Sequence, residues 1–265
     1  MYIRMKKNIA LIIPVSSRNS KYSGVEDIEL FKVLLPSLLN SLSTADKDKF
    51  NYSFYVGYDA GDSFYDDEDT LRKIREKFES IVKSKNISLK EPVKCEGTEH
   101  SPAYVWNILF KKAYDDGCDY FYQLGDDIEL IIGGWSAVFA EHLSKNKGLG
   151  VTGPLEKHNR HILTQTFVSR VHMEIFGYYF PALFKNWWCD DWMHNVYMPD
   201  YNFWCKDILV RNTSVGSTKY DIKSIPSKKI KKEIKLGRKK IKKWMADNGF
   251  VKINFLEKIK KMVTG

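Results

Sequence analysis

Two pairs of adjacent aspartates offer the clearest chemistry in this chain, Asp126 with Asp127 and Asp190 with Asp191. The first pair closes the apolar, aromatic run 120–124. Neighbouring carboxylates repel unless something compensates them, and the usual partner is a hard divalent cation with oxygen ligands. A surface turn after an edge strand would use aspartates in the same way. The second pair lies among Trp187, Trp188 and Trp192. A carboxylate surrounded by indoles loses water, which raises its pKa and suits it to general-base work. The alternative is N-terminal capping of a helix that buries Trp192 and Val196, and both roles can hold together.

These residues need elements to position them. The largely apolar run 8–15 predicts a buried, parallel strand, and residues 16–20 a polar loop. Apolar positions over 28–42 keep helical spacing, with Pro36 inside to kink or split the helix. A strand is expected over 50–58, a turn at 59–62, a helix over 71–82 and a strand over 87–93. A helix over 104–114, stopped by Gly117, precedes the strand 120–124 that ends at the first acidic pair. The alternation predicts an α/β fold, a doubly wound, mainly parallel sheet flanked by helices. Such sheets bind ligands at the carboxyl ends of their strands, where the loops after the first, second and fourth strands converge. After a helix over 135–143 and a strand over 148–153, residues 163–204 are aromatic and irregular, as expected of a segment that shapes a substrate site.

The net charge of +9 conceals a division within the 265 residues. Residues 226–265 carry a net charge of +11 and residues 1–225 a net of −2. We therefore expect a body over 1–225 and a basic helical tail over 226–265, with no nucleic-acid-binding core. Ile230, Ile234, Ile241, Trp244 and Met245 fall near one helical face, and a final helix is expected to begin at Asn254. A lysine-rich amphipathic helix over 228–263 could dock on an anionic membrane surface, or pack its apolar face on the body. The four cysteines show no CxxC pair, which points to reduced thiols and a cytoplasmic setting. The run 9–15 is too short for a signal peptide and holds Pro14, and no segment approaches the roughly 20 apolar residues that cross a bilayer. Any membrane contact would be peripheral.

The run Leu124, Gly125, Asp126, Asp127, Ile128 resembles the DxD motif of GT-A nucleotide-sugar glycosyltransferases, with Gly125 in place of its first aspartate. The preceding helix around Trp106 and Asn107, the runs 151–154 and 163–167, and the Trp-rich acidic run 187–192 complete the pattern over about residues 8–222. The likeness is to the small transferases of large algal DNA viruses. It implies a GT-A sheet in which Asp127 ligates Mn²⁺ or Mg²⁺, with Asp126 in support through water or the donor's ribose. It implies a nucleotide site at Pro14, Ser16, Arg18, Tyr58, Asp59, Asp62, Asn107, Gly125 and Asp126. An aspartate there can accept from a uracil N–H, so a UDP-sugar is the expected donor; turn capping is the other role open to Asp59 and Asp62.

The family usually adds a late histidine ligand, and residues 211–220 hold none. His172 is the reserve candidate, and Arg211 or Lys219 could neutralise the diphosphate instead. In inverting members the second residue of the late acidic pair takes the acceptor's proton. The resemblance thus implies Asp191 as base and Asp190 as acceptor-binding or loop-orienting. Trp187, Trp188, Trp192 and Gln165 would line the site of a glycan acceptor, with aromatic walls suited to sugar C–H faces. A non-catalytic nucleotide-sugar or glycan-binding module with a membrane-docking tail is the competing function.

Overall fold

The computed structural model describes residues 5–98, 100–214 and 224–250. At its centre is β1 (Lys7–Val15), paired in parallel with β2 (Phe50–Asp59) and β5 (Tyr120–Gln123). Flanked on both sides, β1 must bury both faces, and Ile9 to Ile13 are fully buried. Pro14 lies beyond the last β1–β5 pair, at the carboxyl edge.

The expected strand over 87–93 is instead two short ones, β3 (Ile87–Leu89) and β4 (Val93–Cys95), both parallel to β2. Pro92 between them has no N–H to continue a ladder. Of the helix expected over 28–42, a π-helical turn (Leu30–Leu34) runs into α1 (Leu35–Ser41), and Pro36 sits in the first turn of α1. A proline is tolerated there because that N–H has no helical partner. A short α2 (Thr44–Lys49), capped by Ser43 and Asp46 through a capping box, was not anticipated.

Two longer helices precede the acidic turn, α3 (Glu68–Ile81) and α4 (Pro102–Asp115). Asp67 caps α3 by accepting from Thr70 N–H, and Ser101 caps α4 by accepting from Tyr104 N–H. Beyond β5 come β6 (Ile128–Leu130), α5 (Trp135–Ser144) and β7 (Val151–Glu156). The region read as irregular contains β8 (Phe167–Ser169), α6 (Arg170–Phe176) and α7 (Cys189–Val196), and β9 (Asn202–Asn212) begins inside it.

The nine strands form one sheet, ordered β3-β2-β1-β5-β8-β7-β9-β6 with β4 also on β2. β8 is antiparallel to both neighbours, β7 and β9 are parallel, and β6 returns antiparallel along β9. The mixed, mainly parallel α/β class expected from the alternation is the one observed. One core packs α1, α3 and α5 on one face; the other packs α4, α6 and α7 on the opposite face.

The last described helix, α8 (Ser227–Asp247), rests on α6 and α7. Ile230, Ile241 and Met245 are buried there. A Cβ at Gly237 would approach Val196 Cγ2 to 2.5 Å, so the residue that weakens this helix is also the one that lets it dock. The apolar stripe is covered by the body, and the lysines face outward. The expected final helix from 254 onward and Lys219 lie outside the described residues. No helix among the described residues is long and apolar enough to cross a membrane. All four cysteines are free and buried.

Candidate active site

A cavity of about 480 Å³ opens at the carboxyl edge of β1, β5, β7 and β9. Pro14 and Ser16 reach it from β1, Gly125, Asp126 and Asp127 from β5, and Trp187 and Asp190 from the approach to α7. Gln165 completes the predicted residues found in its wall.

The acidic turn is built to a narrow tolerance. A Cβ on Gly125 would lie 2.6 Å from Asp127 Oδ1, so the aspartate expected at this place would displace the carboxylate two residues on. Asp126 is buried, whereas Asp127 is partly exposed to the cavity. The Asp127 carbonyl accepts from Thr213 N–H at 3.0 Å and from the Thr213 hydroxyl at 2.9 Å, which ties the turn to the end of β9. Trp106 lies beneath, its indole N–H shared between the carbonyls of Ile12 and Leu124 at 3.2 Å each. It therefore fixes the spacing of β1 and β5 where the site begins.

At the far wall, α7 starts from Trp188, whose φ of 75° is left-handed. Such a conformation in a bulky residue is held by its surroundings and tends to occur at functional sites. Asp190 and Asp191 fill the first turn of α7. Asp190 lines the cavity; Asp191 lies outside the lining, and its carbonyl accepts from Asn195 Nδ2. Burial, reinforced by the Asp191 charge, pushes the Asp190 carboxyl up to about 8, against the lowering contact of Cys189. Trp187 and Trp188 are 45% and 38% exposed, and of the two only Trp187 lines the cavity.

Several predicted residues sit elsewhere, each for a definite reason. Trp192 is fully buried beneath α7 and cannot stack on an acceptor sugar. Asn107 does not line the cavity: its Oδ1 accepts from the N–H groups of Tyr179 and Phe180 and its Nδ2 donates to Phe180 O, stapling that loop to α4. Asp62 accepts from Ser17 N–H at 2.8 Å and Ser17 Oγ at 2.6 Å, so it braces the loop after β1. Asp59 is buried, accepts from the Thr98 hydroxyl and lies 3.5 Å from His100 Nδ1. Tyr58 stacks on Tyr65, and Arg18 is exposed, its N–H donated to Ser16 Oγ.

Two fallback contributors are likewise engaged away from the cavity. His172 is buried, with its ring nitrogens at 2.9 Å from Tyr197 Oη and 3.0 Å from Tyr179 O. Burial lowers its pKa to about 4, and no cavity-facing ligand is left on it. Arg211 is ion-paired to Glu129, with Nε donating at 2.7 Å, rather than turned to a diphosphate.

Sequence reasoning missed Glu156 at the end of β7. It is buried in the cavity wall and accepts from His158 N–H at 2.8 Å and Asn212 N–H at 3.1 Å. It joins the ends of β7 and β9, a long-range bond with no sequence signal. The wall holds four carboxylates, of Asp126, Asp127, Glu156 and Asp190, and no lysine or arginine among the described residues. An all-oxygen acidic set suits a hard divalent cation. No group of three or more His, Cys, Asp or Glu among the described residues closes a coordination sphere by itself. The remaining positions would fall to water and diphosphate oxygens, as is usual for Mg²⁺.

No protein-family model and no curated protein matches the sequence. Solved structures do. S. aureus TarS 1-349 in complex with UDP-GlcNAc superimposes with a TM-score of 0.54 at 13% identity, covering 89% of this chain and 66% of that one. The same TarS fragment in complex with UDP gives 0.53 at 13% identity, over 88% and 65%. TarS 1-349 without a named ligand gives 0.52 at 12%, over 96% and 77%. The chain thus spans about two thirds of the length of the complexed TarS structures. What these likenesses establish is architecture: the chain has a GT-A-like glycosyltransferase fold.

Proposed function

We propose that this protein is a glycosyltransferase that moves a sugar from a UDP-sugar to a hydroxyl of a glycan acceptor, with inversion. The observation that carries the proposal is one cavity with the acidic turn of Gly125 to Asp127 on one wall and desolvated Asp190 on another. The UDP and UDP-GlcNAc held by TarS, on a similar fold, support a uridine nucleotide as carrier.

Asp127 would hold Mn²⁺ or Mg²⁺, with Asp126 behind it. Bound there, the ion supplies charge stabilisation for the departing diphosphate. The Ser16 loop, braced by Asp62, borders the nucleotide end of the cavity. Trp187, in the cavity wall, would offer a face to the acceptor ring. The acceptor hydroxyl attacks the anomeric carbon as the bond to the diphosphate breaks, and its proton passes to Asp190, with no covalent intermediate. We give the proton to Asp190 rather than Asp191 because Asp190 is the member in the cavity wall and has a carboxyl tuned near working pH.

The outward lysines of α8 give this helix the charge to rest on an anionic bilayer, each worth about 1 kcal/mol near such a surface. Replacing Lys228, Lys232, Lys239 and Lys243 by glutamine should release the protein from phosphatidylserine vesicles at low salt; unchanged binding would refute the docking. The enzymatic reading is tested by thermal shift and turnover across nucleotide-sugars with Mn²⁺. Stabilisation by UDP together with sugar release or transfer is expected. Stabilisation without turnover would leave a binding module, and no stabilisation by UDP would remove the reading.

A further inference from the structure

We propose that His194 is a positioning residue: from the second turn of α7 it holds residues 163–165 in place as a wall of the cavity that Asp190 shares. This deepens the transferase reading and rests on it. Asp190 and His194 are four residues apart, so they lie on one face of α7. Asp190 lines the cavity, and one turn on, His194 Nδ1 accepts from the Leu163 backbone N–H at 3.1 Å. Leu163 is fully buried, so its N–H has no water to turn to once the imidazole is removed.

The next two residues, Thr164 and Gln165, both line the cavity, and the Thr164 hydroxyl donates to Gln165 Oε1 at 2.7 Å, which orients the amide. Beyond them the Thr166 N–H donates to Gln123 Oε1 at 3.1 Å. The segment is therefore tied to β5 at one end and to α7 at the other. It also lies close against β7, where a Cβ at Gly153 would come within 2.3 Å of Gln165 O. The bond to Leu163 needs a neutral imidazole protonated on Nε2. Burial lowers the His194 pKa, against the Asp191 charge, and so favours that form. The ring is itself braced: it stands at 86° to Trp204 with centroids 5.6 Å apart, and the Trp204 indole N–H donates to Pro154 O at 3.0 Å. On the transferase reading, the helix that carries the base also fixes the polar groups that the sugars meet. Releasing His194 should disturb that end of the cavity and spare the nucleotide end at Ser16.

The test is UDP affinity by calorimetry with Mn²⁺, together with turnover of a panel of UDP-sugars, on the full chain and two variants. His194→Phe keeps a ring against Trp204 and removes the acceptor atom; His194→Asn returns an acceptor oxygen at the place of Nδ1. His194→Phe should bind UDP as wild type does and lose on the order of 10²-fold in turnover, the cost of misplacing reacting groups by about 1 Å. His194→Asn should recover most of that loss. Should His194→Phe fail to fold, Gly153→Ala, which presses on Gln165 O from the β7 side, should show the same split between turnover and UDP affinity. Wild-type turnover in the folded variant, a parallel loss of UDP affinity, or no recovery in His194→Asn would overturn this inference and leave the transferase reading standing. A wild type that turns over no UDP-sugar in the panel would overturn both.

Discussion

The two aspartate pairs are the same dipeptide in two settings, and the settings decide their chemistry. Asp126 and Asp127 end a strand, with the Asp127 carbonyl pinned by Thr213 and the side chain given room by Gly125. The turn offers fixed oxygens. Asp190 and Asp191 begin a helix, and desolvation together with the Asp191 charge pushes the Asp190 carboxyl up to about 8. A helix N-terminus favours a charged carboxylate by about 0.3–1 kcal/mol, too little to offset desolvation on this scale. On the proposed reading, backbone geometry suits one pair to ligand duty, and desolvation suits Asp190 to the work of a base.

The comparison can be broken most forcefully at Asp190. Asp190→Asn should lower turnover by on the order of 10²–10⁴-fold, the range of a general base, while Asp191→Asn should fall far less. The wild-type rate should climb with pH and level off above about 8, where Asp190 is ionised. Stability should run the other way. The folded pKa of about 8 lies above the ordinary 3.8, so the fold takes up a proton between them and is weakened as pH rises through that window. The melting temperature of Asp190→Asn should gain on wild type steadily from pH 5 to pH 8, and a constant difference would contradict the assignment.

Asp127→Ala should cost about 10²–10³-fold in turnover, the range for losing one group that stabilises developing charge. Mn²⁺-dependent stabilisation by UDP should disappear with it, and the pH profile of any residual activity should be unchanged. Gly125→Ala sharpens the same point. The backbone at Gly125 accepts any residue, so only the contact with Asp127 Oδ1 opposes the methyl group. The Asp127 carboxylate can swing aside at little cost to stability, so the melting temperature should hold while UDP–Mn²⁺ affinity falls by calorimetry. The smallest catalytic effect is expected at Gly237→Val. Its side chain would meet Val196 and lower unfolding free energy by about 1–3 kcal/mol in denaturant titrations, with turnover at low temperature nearly intact.

Much of the fold was legible because the first half of the chain alternates short apolar strands with periodic helices. The run Ile9 to Ile13 could only be a strand buried on both faces. β9 was missed because its positions mix buried, partly buried and exposed residues with no period of two. β8 is three residues long, too short to show a period. At the site, the acidic turn was legible because like charges at a strand end require compensation. Asn107 was read as ligand-binding because a mid-helix Asn asks for a partner, and Asp62 because its turn matches the family's nucleotide site; in the fold both accept from backbone N–H groups distant in sequence. Glu156 escaped notice for the converse reason, since one glutamate after a strand looks ordinary until the fold brings Asn212 to it.

The seat of α8 on α7 bears on how this molecule can be handled and altered. By composition the basic segment looks detachable, yet Gly237 lies against Val196, Trp192 and Phe176. Cutting before α8 would unroof the hydrophobic floor on which Asp190 stands and leave a greasy patch on a protein that has lost its most charged helix. A shortened form would thus be prone to clump, and its silence in an assay would say nothing about which residues do the chemistry.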